Sequence, residues 1–86
     1  MPLFWMSFCD PDKPKGSQFL GACIVEALNV RDAIQVSWEC GCNPGGEVKV
    51  VEIEKRFEAK VHQEDCYKLF DKSESLAWGH PRVERT

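Results

Sequence analysis

The sequence predicts an α+β fold. It is a three-stranded antiparallel sheet built in the order β-β-α-β, with strand order 2-1-3, one main helix on one face and a short helical C-terminal tail. Three observations predict it. Two runs near the start are apolar at both alternating positions, as in strands covered on both faces. A capped segment with helical spacing follows them. A third run, rich in valine, comes after a Pro-Gly-Gly turn.

Taken in order, Pro2 to Cys9 (PLFWMSFC) is the first strand, and the most hydrophobic, which places it in the middle of the sheet. Asp10 to Gln18 holds two prolines, a glycine and four charges and can only be a loop. Phe19 to Ala27 is a second strand, apolar except at Glu26. Asn29 then caps a helix, with Asp32 suited to the positive end of its dipole. Val30, Ala33, Ile34, Ser37 and Trp38 fall on one helical stripe, which places Trp38, like Trp5, in or near the core. Gly41 fits the left-handed position that ends the helix, and Asn43 to Gly46 is a turn.

Glu47 to Glu54 is the third strand, its glutamates read as a solvated face. A right-handed connection carries the helix across the sheet. Beyond Glu54 the pattern weakens. Lys55 to Phe70 is a short helix around Gln63 to Lys68, or irregular. Ser73 to Trp78 forms one or two helical turns, capped by Asp71 or Ser73 and stopped by Gly79. Residues 1–79 thus make a single domain, and 80–86 a polar, frayed tail. The second sheet face is also apolar. Either the tail covers it, with Trp78 as a latch, or a second copy of the chain does, giving a homodimer.

The charge balance narrows the function. Eleven basic and fourteen acidic residues leave a net charge of −3. The acids crowd the second half, at Glu47, Glu52, Glu54, Glu58, Glu64 and Asp65, which disfavours general nucleic-acid binding. The apolar start is too short for a membrane span and lacks a signal-peptide layout, so the expected place is the cytoplasm. Five cysteines, an odd number, read there as free thiols.

The stretch Phe19-Leu-Gly-Ala-Cys-Ile-Val-Glu-Ala27, a helix, and then Gly41-Cys-Asn-Pro-Gly-Gly-Glu-Val48 resembles a group of short bacterial and phage proteins that carry no assigned activity. The similarity covers roughly the first two-thirds of the chain. It implies a bacterial or phage setting and supplies no catalytic residues.

Three constellations carry candidate chemistry. The topology brings the 10–18 and 41–46 loops to one rim. There Lys13, Lys15, Ser17, Asn43, Gly45 and Gly46 make a candidate site for a small anionic, nucleotide-like ligand, because consecutive glycines can turn their amides inward. Against it, the helix presents its negative C-terminal end there. Cys40, Cys42, His62 and Cys66 are a candidate zinc set, although Cys-x-Cys is not the usual knuckle spacing. A cysteine nucleophile would need a base and a lowered pKa, and no local signature supplies either.

The expected function is therefore a small non-catalytic binding protein, without cofactor, acting through protein contacts that include itself. A phage-type accessory or counter-defence role suits the resemblance. The alternative is a protein that binds or sequesters a small anion at the rim.

Overall fold

The structure is a computed structural model that describes residues 2–78, with side chains as far as Ser75. It is an α+β fold whose sheet runs β2-β1-β3, all antiparallel. β1 spans Leu3–Cys9, β2 Phe19–Glu26, α1 Val30–Glu39 and β3 Glu47–Glu52. Three short pieces follow: α2 at Lys55–Glu58, a 3-10 turn at Gln63–Asp65, and α3 at Lys72–Trp78. The strand order matches the sequence reading. The Trp78 latch, the Gly79 stop and the 80–86 tail lie outside the described residues. No described helix is long and apolar enough to cross a membrane.

β1 is central because its side chains feed two cores. Phe4, Met6 and Phe8 point to one face and pack with Cys23, Val25, Ala33 and Cys42 under α1. Trp5 points to the other face and packs with Ala22, Ile24, Ile53 and Phe70. The alternation of a strand does this directly, since neighbouring residues face opposite ways. The register sets Trp5 between Ile24 of β2 and Val51 of β3.

α1 begins where its cap predicts. The Asn29 side chain accepts from the Asp32 N–H at 2.9 Å. It ends at Cys40, followed by Gly41 at φ +73°, a conformation glycine reaches without a Cβ penalty.

Its buried line is narrower than the sequence stripe. Ala33 and Ser37 are fully buried, Ile34 is half-buried, and Trp38 is 59% exposed. The expectation that Trp38 sits in the core is therefore corrected. Trp38 lies one residue, about 100°, round the helix from Ser37. Ala33 is part of the cluster with Phe4, Met6 and Phe8, and Ile34 and Val36 pack against it from α1, while Trp38 lies outside that line.

The second face is covered by the chain itself. Phe57, Val61 and Cys66 pack against the Trp5 cluster, and Phe70 stacks on Trp5 with ring centroids 6.1 Å apart. The same segment closes the outer edge of β2. Phe70 exchanges two backbone hydrogen bonds with Ala22, and the Tyr67 N–H donates to the Ile24 carbonyl at 2.8 Å. α3 is held at its start by a reciprocal pair: the Glu74 N–H to Asp71 Oδ1 at 2.8 Å, and the Asp71 N–H to Glu74 Oε1 at 3.0 Å. Asp71, not Ser73, is the cap.

Two further sequence expectations are resolved here. Of the two readings of Lys55–Phe70, the structure takes the irregular one: α2 and a single 3-10 turn at Gln63–Asp65 stand in place of a helix over Gln63–Lys68. Glu47 and Glu52 do not share a face. They are five residues apart, and Glu47 pairs with Cys9 while Glu52 pairs with Phe4, on opposite sides of the pleat.

Candidate functional site

The rim forms as the topology requires. Cys9 pairs with Glu47, so both loops leave the sheet at the same end. The turn at 41–46 is seated closely on the end of β1: a Cβ on Gly46 would lie 2.5 Å from the Cys9 carbonyl oxygen.

The polar groups of the turn are already engaged, however. The Ser37 hydroxyl donates to the Ile34 carbonyl at 2.6 Å and accepts from Asn43 Nδ2 at 2.9 Å. Asn43 Oδ1 in turn accepts from the Gly45 N–H at 2.8 Å. This chain pins the turn to the end of α1 and occupies both ends of the Asn43 carboxamide.

The 10–18 loop is likewise closed on itself. Gln18 Nε2 bridges the Pro11 and Lys13 carbonyls at 3.3 and 3.1 Å, and the Ser17 N–H donates to Pro14. Lys13, Lys15 and Ser17 are exposed on its surface, and α1 carries no basic residue in its last turn to offset its negative end.

The four candidate zinc ligands are not brought together. Cys42 belongs to the core under α1, whereas Cys66 packs against the Trp5 cluster on the opposite sheet face. Cys40 and His62 are exposed. The His62–Cys66 spacing does not act as a helical pair, because the chain makes a 3-10 turn there and Cys66 Sγ sits 3.7 Å from the His62 carbonyl as its donor. Among the described residues no group of three or more His, Cys, Asp or Glu could hold a metal.

The thiols of Cys23, Cys42 and Cys66 are tuned away from reactivity. Burial pushes the Cys23 thiol far above its ordinary value of 9.0, and the neighbouring Cys42 adds to the rise. Burial also raises Cys42, which the Cys23 thiol offsets in part through a hydrogen bond. Burial raises Cys66, with Asp65 and Glu26 contributing.

These shifts carry a stability consequence. A thiol whose pKa is raised by folding holds its proton more tightly in the native state. Its stabilising contribution is complete below the unfolded value and is lost as pH rises through the native one. Melting temperature, measured under reducing conditions, is therefore expected to fall from about pH 8.5 upward. A Cys23→Ala, Cys42→Ala variant should have a flatter alkaline limb, and an unchanged slope would contradict the account.

The feature that sequence reasoning missed is the outer flank of α1. Leu28 is 68% exposed, Val30 47% and Trp38 59%. Val30, Ile34 and Trp38 recur every four residues, so they form one row along the helix. Arg31 and Glu39 lie one position further round, at the start and the end of the same row, both exposed. The stripe itself was legible; that its outer members face away from the sheet was not.

No protein-family model matches the chain, and neither the curated proteins nor the solved structures contain a match.

Proposed function

We propose that this chain is a non-catalytic binding protein that acts by protein contact, and that a second copy of itself packs on the outer flank of α1. The observation that carries this reading is Trp38. A singly exposed apolar residue is ordinary. A tryptophan 59% exposed in a row with Val30 and Ile34 is the kind of anchor that dominates interfaces.

Charge selects the occupant and its direction. Two α1 helices packed antiparallel through the Ile34 position set Trp38 of one against Val30 of the other. The same packing places Arg31 near Glu39 of the partner copy, twice over. A parallel arrangement would put the two charged edges on opposite sides of the seam, where Arg31 and Glu39 could not pair across it. The burial of Cys23, Cys42 and Cys66, which keeps their thiols protonated, supports a role without nucleophilic chemistry. Five free thiols suit a reducing compartment, and the cytosol is the expected place.

A charge swap tests the arrangement. Arg31→Glu and Glu39→Arg should each weaken self-association, by roughly a few-fold per affected pair. The double variant should recover it, because the two reversed charges again face each other. Glu39→Arg also removes the exposed Gln35 Nε2 to Glu39 Oε2 bond of 3.1 Å, so the folded fraction of each variant is checked by melting. A double variant no better than the singles would contradict the antiparallel packing.

A further inference from the structure

Two of the thiols meet inside the core. Cys23 on β2 and Cys42 on the turn after α1 are both buried in the cluster of Phe4, Met6 and Phe8. There the Cys23 thiol donates a hydrogen bond to the Cys42 sulfur. We infer that Cys23 and Cys42 are a latent disulfide, closed by exchange with glutathione disulfide that enters through the exposed thiol of Cys40.

The fold selects this pair. Cys66 packs on the opposite sheet face, and Cys9 is exposed at the end of β1. Cys23 is fixed in the sheet opposite Met6. Cys42 is carried by the turn, where its N–H donates to the Ser37 carbonyl at 3.0 Å. The sulfurs must close from a hydrogen bond to a covalent length of about 2.0 Å. The turn supplies that movement: Gly41, beside Cys42, is at φ +73° with open space where a side chain would stand. The bond ties the turn to the strand beneath it and closes a loop of roughly 20 residues.

Cys40 is the route in. It is exposed two residues before Cys42, and its charge when ionised raises both buried thiols, which places it near them. The Cys40 thiolate attacks one sulfur of glutathione disulfide; that S–S bond breaks, and one glutathione leaves and takes up a proton. Cys42 then loses its proton and attacks the Cys40 sulfur, expelling the second glutathione. The hydrogen bond from Cys23 makes Cys42 the readier of the two to do so. Finally Cys23 attacks the Cys42 sulfur and releases Cys40, which is protonated again. In sum, two protein thiols are oxidised to one disulfide, and one glutathione disulfide is reduced to two glutathiones.

Burial sets the rate of this exchange, not its end point. Protonated, enclosed thiols react slowly, so the pair stays open in a reducing compartment. Once made, the bond is shielded from reductant by the same packing.

The test uses the wild-type chain, folded and free of denaturant, in excess glutathione disulfide. The reaction is stopped in acidic urea, free thiols are trapped with N-ethylmaleimide, and the digest is mapped by mass spectrometry. A Cys23–Cys42 linked peptide should accumulate, in a species of one chain mass on a non-reducing gel. Its melting temperature should stand at least about 5 °C above that of the reduced chain and fall back on reduction. Cys40→Ser should reach the same product at least roughly ten-fold more slowly. Cys42→Ala should show no such rise. If that variant does not fold, the wild-type map still decides. Glutathione held on Cys40 with Cys23 and Cys42 both trapped as free thiols, or a linkage that forms only in urea, would overturn the inference without touching the α1 interface.

Discussion

Trp5→Ala is expected to cost about 3–5 kcal/mol of folding stability, the range for removing a large aromatic residue from a core. Trp5 is 1% exposed and touches both halves of the molecule. Its own strand and its neighbours Ile24 and Val51 form the sheet, while Phe70 stacks against its ring from the C-terminal segment. Truncation leaves a cavity and also removes the surface on which Phe70 rests. Urea unfolding reads the first effect. Amide exchange reads the second, since the Ala22–Phe70 bridge should lose protection before the β1–β2 ladder does. A loss below about 1 kcal/mol would mean that the second face is not packed as described.

Gly46→Ala is the other large effect, and it comes from backbone rather than from burial. Gly46 has φ +76°, where an L-residue is strained by about 1–2 kcal/mol. The added Cβ would also lie 2.5 Å from the Cys9 carbonyl oxygen and 2.9 Å from Leu20 Cδ1. The Leu20 methyl can rotate away, but the Cys9 oxygen belongs to β1 and cannot move without disturbing the ladder. Gly16→Ala is the matched control. Gly16 has φ +91°, but a methyl group added there would meet nothing within 4 Å, so it carries the conformational strain alone. Chemical denaturation should find Gly46→Ala clearly the more damaging. Equal losses would show that Gly46 is not seated closely against the end of β1.

The sheet was legible because hydrophobicity ranks its strands. β1 is the most hydrophobic and so is placed centrally, and the loop and helix lengths then leave one simple order. α1 was legible from Asn29 and Asp32, whose cap geometry is local and owes nothing to the rest of the chain.

The position of Trp38 was not legible. The helical stripe is wider than the line that reaches the sheet: Ala33 enters the core and Ile34 packs against it, but Trp38 does not. The segment from Ile53 to Phe70 was hidden for a different reason. Phe57, Val61, Cys66 and Phe70 are presented by a four-residue helix, a 3-10 turn and an isolated bridge, so their spacing follows no single period. Asn43 and Gly45 stood out in the sequence as part of a turn and as candidates for an anion site. Their hydrogen bonds to Ser37 and to each other make that turn part of the α1 C-terminus.

Sedimentation equilibrium of the wild-type chain and of Trp38→Ser, over a micromolar concentration series, tests the central claim most directly. The wild type should weigh two chains at the upper concentrations and dissociate on dilution, as mass action requires. Trp38→Ser should stay at one chain mass throughout while melting close to the wild type, because the side chain it removes is mostly in solvent. A wild type that remains at one chain mass at every concentration, or a Trp38→Ser variant that still dimerises, would contradict the account.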